Sequence, residues 1–474
     1  MERKSKSSKI IMGLCLGILI IFMLGIILRF ATRQIVRFTG ADNAFTRLVF
    51  TGTPELGLFA SDAGDEAASG ESGIDWEGLY PFDESIDYSA LLSAEAEAGD
   101  ERLEDSGEAA GASLLSKYTS KVSSIEEMAE TFATDYLFGY YEMVEAANSY
   151  DSLISWNYTA YSEYNGIVEL SDEYLTTVRN ELPVHSNALS IEDLEDYCSS
   201  LGIDFSFIIA PAKICKYDDM DISGVSDFTN QNADALYDEL TASGVDVLDL
   251  RENIHEEDLQ HHSLFYVTDH HWKTTTGLLA AKWIAQHLNE KYDLDYDLSL
   301  LDPDTFDYET YEDCFLGSQG KKVTLTRTTP DDFTLLYPKY ETLFHYRIPS
   351  GYIDLTGNYS VCYDMTKVGY IDYYNLNQYA ACNYADNPLT LIENELNDSG
   401  KKILFVHESF GNCVYSLLAL GTGEVQSIDL RFFTGSLKTY ISSEEPDIVV
   451  VMYNAGTVGN ATDYSVHDTL YDFR

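Results

Sequence analysis

Hydrophobic positions run unbroken over 10–28, thin out between 61 and 110, and return from about 120 onward as short blocks separated by regular polar gaps. The third regime carries the fold. Ile125, Met128, Phe132, Tyr136 and Leu137 recur at the helical period and predict a helix within 121–150. YNGIVELSDEYL (164–175) reads as a short hairpin. DLEDYCSSLG (193–202) reads as a helix closed by Gly202, and IDFSFIIAP (203–211) as a buried strand ended by Pro211. The unit repeats as a helix over 231–243, Gly244 and the strand VDVLDL (245–250). KTTTGLLAAKWIAQHLNEKYD (273–293) predicts another helix, with Leu279, Trp283 and His287 on one face, where His287 is a packed or surface residue. KKILFVHES (401–409), EVQSIDL (424–430) and PDIVVVMYN (446–454) are three further buried strands. Helices alternating with short apolar strands predict a parallel sheet flanked by helices. The Tyr-rich stretch 303–390 interrupts the alternation and reads as an antiparallel insertion, so one α/β domain is expected over 120–474.

The first regime changes the picture of where that domain works. Residues 10–28 are nineteen apolar or small uncharged residues, the length that crosses a hydrocarbon core of about 30 Å as a helix. No small-residue cleavage site follows, so the segment reads as a retained signal anchor, with 1–9 as a cytoplasmic tail. Bases on both flanks, Arg3, Lys4, Lys6 and Lys9 before and Arg29, Arg33 and Arg37 after, favour that orientation only weakly. The segment 29–119 then reads as a juxtamembrane stretch and spacer. Its part from 61 to 110 holds sixteen acids and one base, a composition that repels itself and buries no core.

The chain has 474 residues and a net charge of −50, which disfavours a nucleic-acid partner in the absence of a metal bridge or a strong local basic patch. Seven cysteines are scattered without the CxxC spacing of a zinc ribbon, Cys15 among them in the apolar span.

Candidate chemistry concentrates in YVTDHHWKTT (266–275). With His261 and His262 close by, Asp269, His270 and His271 form a dense supply of metal ligands. On a strand His270 and His271 point to opposite faces, so at most one of them joins Asp269. A second reading places Asp269 and His271 on one face, the carboxylate orienting the ring and the other ring nitrogen acting as base. That pair needs a nucleophile. In ILFVHESFGNCVYSLLAL (403–420) a buried strand passes through His407 and Glu408 into Ser409 and on into an apolar stretch. A serine at a strand-to-helix junction presents its hydroxyl beside free helix N–H groups, which suit an oxyanion, and Asn412 offers a side-chain donor. Ser409 as a plain helix N-cap is the competing reading. Trp272 reads as a core anchor and Lys213 as a surface lysine.

TDHHW followed by a helix, a later acid-Ser-aromatic-Gly-Asn segment, IDLRFF (428–433) and a final buried strand together resemble the DHHW-family proteins. IIAPAKICKY (208–217) and FLGSQGKK (315–322) are looser echoes. These proteins are relatives of the alginate O-acetyltransferase branch of the SGNH hydrolase-like superfamily. The resemblance spans roughly 160 to 460 and implies an extracytoplasmic, SGNH-like, flavodoxin-type α/β fold. It implies Asp269 as orienter, His271 as base, Ser409 as nucleophile, and no metal or cofactor. Glu408 and Phe410 stand where the family more often has Asp and Tyr. The implied function is a membrane-anchored O-acyltransferase or esterase acting on cell-envelope polysaccharide, with a membrane-bound acyltransferase as a partner. The alternatives are an inactive polysaccharide-binding or assembly module and a structural surface protein.

Overall fold

Strands in which apolar residues fill both alternating sets of positions, as in FIIA (207–210) and IVVVM (448–452), have no solvent side, so they must be buried on both faces. The computed structural model places them so. It describes Met143, Glu145, Ser149 and residues 166–170, 173–217, 225–459 and 470–474. The expected span 10–28, the spacer 61–110 and most of the helix expected within 121–150 lie outside these residues, although Met143, Glu145 and Ser149 are helical. Among the described residues no helix is long and apolar enough to cross a membrane.

In chain order, a small hairpin pairs β1 (Val168–Glu169) with β2 (Leu175–Thr176). Then come α1 (His185–Leu201), β3 (Asp204–Ala210), α2 (Thr229–Ser243), β4 (Val247–Asp249), α3 (Leu250–Glu256) and α4 (Thr274–Tyr292). The Tyr-rich stretch supplies β5 (Phe306–Phe315), α5 (Ser318–Val323), β6 (Asp331–Pro338), β7 (Phe344–Ile348) and β8 (Ile353–Gly357). The chain closes with β9 (Thr390–Asn394), β10 (Lys402–His407), α6 (Tyr415–Leu418), β11 (Glu424–Ile428), α7 (Leu437–Glu444) and β12 (Ile448–Asn454).

The main sheet has the order β4-β3-β12-β10-β11-β9-β7-β8. Its first five strands are parallel, whereas β9, β7 and β8 run antiparallel. Two expectations are corrected. The sheet is mixed, because the insertion does not stand apart: β5 and β6 form a separate ribbon, but β7 and β8 extend the sheet through β9. The parallel strands also depart from the flavodoxin order, since the last of them, β12, lies between β3 and β10.

Alternate side chains of each parallel strand feed two cores. Phe205, Phe207, Ile209, Leu404, Val406, Val449 and Val451 pack under α1, α2 and α7. Ile208, Ile403, Phe405, Val450 and Met452 face Trp272 and the Leu278, Ile284 and Leu288 stripe of α4. The carboxyl ends of β3, β12 and β10 therefore emerge side by side. Asn454, just at the end of β12, ties them: its Nδ2 donates to Pro211 O at 2.5 Å and its backbone N–H to Glu408 Oε1 at 3.1 Å.

Candidate active site

Ser409 lies just past the end of β10, separated from it by Glu408 alone, and opens a 3-10 helix, Ser409–Cys413, rather than a continuous α-helix. The N-cap is Glu408, whose Oε2 accepts from the Phe410 N–H at 3.1 Å, so the N-cap reading of Ser409 is corrected. As the first residue of the helix, Ser409 has an N–H with no intrahelical acceptor. The turn is tight: a Cβ on Gly411 would come within 2.4 Å of the His407 ring, so only glycine lets the helix lie over that buried imidazole. His407 Nδ1–H donates to Glu408 O at 2.7 Å and Nε2 accepts from Ser427 Oγ at 2.6 Å. Burial lowers the pKa of His407.

The DHHW segment is a bent loop between α3 and α4, not a strand, closed by a bridge between Phe265 and Trp272. Its bends bring both imidazoles to one side, with the His270 and His271 ring centroids 3.8 Å apart, which corrects the expectation that they oppose. His271 Nδ1–H donates to Asp269 Oδ1 at 2.5 Å, and its Nε2 accepts from Ser409 Oγ–H at 2.6 Å. All three residues are buried, at 4%, 6% and 8% exposure for Asp269, His271 and Ser409. The Tyr379 ring stacks on His271 at 4.0 Å, and Trp272 Nε1 donates to Phe410 O, pinning the loop to the serine turn.

Burial alone pushes the Asp269 carboxyl up. The His270 and His271 imidazoles, the His271 hydrogen bond and the Ser318 N–H outweigh it and hold Asp269 well below the usual carboxylate range. A carboxylate so held fixes the proton on Nδ1 and leaves Nε2 as acceptor. Asp269, His270 and His271 offer ligand atoms within 4.8 Å of one another. Both nitrogens of His271 are engaged, however, so a metal there has to displace Asp269 or Ser409. His270 is half-exposed and bonds Ser318 Oγ at 3.1 Å.

Asn412 does not reach the cavity beside Ser409. Its Nδ2 donates to Asp386 Oδ1 at 2.7 Å, a charge-assisted bond that turns the amide toward the Tyr-rich insertion.

Several residues that hold the loop escaped sequence reasoning. Asp331 accepts from the Val267 and Thr268 N–H groups at 2.7 and 2.8 Å and from Thr268 Oγ1 at 2.6 Å. Ser318 N donates to Asp269 Oδ2 at 2.7 Å, and Gly317 lies so close that a Cβ there would stand 2.2 Å from Asp269 Cβ. Lys213 is 3% exposed, not a surface residue, and its Nζ donates to Leu175 O, Val267 O and Gln319 Oε1. The only available signals were the GSQG and APAK segments.

A cavity of about 210 Å³ opens beside Ser409, lined among others by His270, Glu408, Arg431, Thr177 and Thr457. A larger cleft of about 500 Å³ lies at the opposite ends of β3 and β12, around Asp204 and Asp447, and no imidazole lines it.

An acid, an imidazole and a serine thus meet at the carboxyl edge of this sheet, an arrangement whose fold is similar to that of SGNH hydrolase-like proteins. Residues 170–312 match the family model described as SGNH hydrolase-like domain, acetyltransferase AlgX. Among solved structures, Bacillus cereus PatB1 with a sulfonyl adduct is similar at 16% identity and a TM-score of 0.50, covering 65% of this chain and 99% of its own. A DHHW family protein from Eubacterium siraeum gives 16% identity, 65% and 96% coverage and a TM-score of 0.47. The O-acetyltransferase domain of Pseudomonas putida AlgJ gives 14%, 65% and 99%, and 0.40. No curated protein matches the sequence.

Proposed function

We propose that this chain is a membrane-anchored, extracytoplasmic O-acyltransferase or esterase that acts on cell-envelope polysaccharide through Ser409, His271 and Asp269. The observation that carries the reading is the continuous hydrogen-bond line from Ser409 Oγ through His271 to Asp269, built from segments 138 positions apart. Chance seldom aligns both bonds of such a line.

In the proposed reaction Ser409 Oγ attacks the acyl carbonyl of a donor ester while its proton passes to His271 Nε2. The carbonyl π electrons move to oxygen, beside the N–H of Ser409. Collapse expels the donor alkoxide, which takes the proton from His271, and leaves an acyl-serine. A polysaccharide hydroxyl then repeats the sequence in reverse, giving its proton to His271 while Ser409 Oγ leaves and recovers one; water in that role makes the enzyme an esterase. The small cavity suits an acyl group, with the polymer outside it. Anchoring through 10–28 and supply of the acyl group by a membrane-bound acyltransferase belong to the same proposal.

The test is covalent labelling. PatB1 has been solved with a sulfonyl adduct, so sulfonyl fluorides and fluorophosphonates are the reagents to use. The wild-type chain should be labelled on the Ser409 peptide and the Ser409→Ala variant should not. Binding of polysaccharide without any labelling points instead to an inactive binding or assembly module.

A further inference from the structure

Ser409 has one hydroxyl proton and two acceptors. One is His271 Nε2 at 2.6 Å; the other is Glu408 Oε2 at 3.1 Å. Glu408 is buried and held at both oxygens, Oε1 by the Asn454 N–H and Oε2 by the Phe410 N–H. Its carboxylate therefore cannot swing away from the serine without giving up two backbone donors. We propose that Glu408 is a second base for Ser409, able to accept the hydroxyl proton at Oε2 when His271 does not. This inference rests on the reading of Ser409 as a nucleophile.

In the step, Oγ bonds the electrophile as its O–H bond breaks, the proton goes to Glu408 Oε2, and the leaving group departs with its electron pair. The carboxylic acid so formed still accepts both N–H groups through its remaining lone pairs. Burial favours that neutral form and pushes Glu408 above the usual carboxyl range, against the downward pull of Arg431, the Phe410 N–H and His271. The charged and titratable groups facing Glu408 are Arg431 and Asp429 beyond β11, His271 in the loop, Tyr453 on β12, Tyr471 near the C-terminus and Cys413 on its own turn.

The test is a double-mutant cycle on the rate of fluorophosphonate labelling, with Ser409→Ala as background. His271→Ala should lower the rate by about 10²- to 10⁴-fold, the usual worth of a general base, and still exceed the background. Glu408→Gln alone should cost less than about tenfold, but in the His271→Ala chain it should remove the remaining labelling, because the two groups serve the same proton. The labelling left in His271→Ala should also rise with pH as Glu408 ionises, above the ordinary carboxyl range. If Glu408→Gln lowers the rate by one factor in both backgrounds, its role is structural and the proposal falls. A His271→Ala rate that is flat with pH, or equal to background, overturns it equally, and this arm decides if Glu408→Gln does not fold. A wild-type chain that takes no label overturns the nucleophile reading, and this inference with it.

Discussion

His271 is useful only while Asp269 stays ionised, because an imidazole whose Nδ1 proton lacks an acceptor can turn or switch tautomer. Asp269→Asn should therefore leave the fold intact and slow Ser409 labelling by about 10⁴-fold, measured as a rate against reagent concentration. The same carboxylate contributes to stability with a definite sign. Its folded pKa is depressed, so its contribution is fully present above the unfolded value of about 3.9 and is lost as pH falls through the folded value. Acid unfolding of Asp269→Asn should accordingly be less steep below about pH 3.9 than that of the wild type, followed by circular dichroism. At this scale the hydrogen-bonded line was legible in the sequence, since TDHHW and HESFGN supply an acid and an imidazole two positions apart and a serine at a strand end. The premise of an extended segment was not sound: bends, not a strand, bring His271 round to Ser409 and carry His270 to the same side. Asn412 could not be judged from its spacing, because Asp386, a residue of the insertion, claims its amide.

A loop without regular backbone pairing needs side chains to fix it, and this one is fixed from three elements. Asp331 of β6 holds Val267 and Thr268, the start of α5 holds Asp269, and Lys213 after β3 holds Val267. Replacing Asp331 by Ala strands the backbone N–H groups of Val267 and Thr268, at a cost of about 1–3 kcal/mol for each group left buried and unsatisfied. Asp331→Ala should thus lose stability in denaturant titration and slow labelling even where it is folded, whereas an unchanged labelling rate would separate this carboxylate from the site. Gly317→Ala should act on the same loop by collision, since its Cβ has no room beside Asp269. The GSQG and APAK segments hinted at two of these supports, but the contacts themselves could not be read from the sequence. The supports lie 49 to 64 positions from what they hold, and only the folded chain brings them near.

The whole molecule divides what its hydrophobic pattern could and could not reveal. Apolar runs such as FIIA within IDFSFIIAP and IVVVM within PDIVVVMYN predicted central parallel strands, and the shorter mixed segments VDVLDL and EVQSIDL were placed beside them by the alternation with helices. Strand order and the antiparallel extension depend on pairings between distant segments, on which local pattern is silent. The acidic stretch 61–110 and the apolar span 10–28 remain expectations. Limited proteolysis should cut within the spacer and leave a resistant fragment starting near 120, and a resistant spacer would overturn its reading as a solvated tether. A reporter active only in the cytoplasm, fused after Arg474, should stay silent. An active one places the domain on the wrong side of the membrane for envelope polysaccharide.

The most direct measurement is peptide mapping after brief exposure to a chromogenic acetyl ester and acid quenching, which asks whether an acyl group ever resides on the serine. The prediction is acetyl on the peptide containing Ser409 in the wild-type chain, none in Ser409→Ala and little in Asp269→Asn. An acetyl group found only on other residues, or ester hydrolysis that persists undiminished in Ser409→Ala, contradicts a mechanism in which Ser409, His271 and Asp269 carry the transfer.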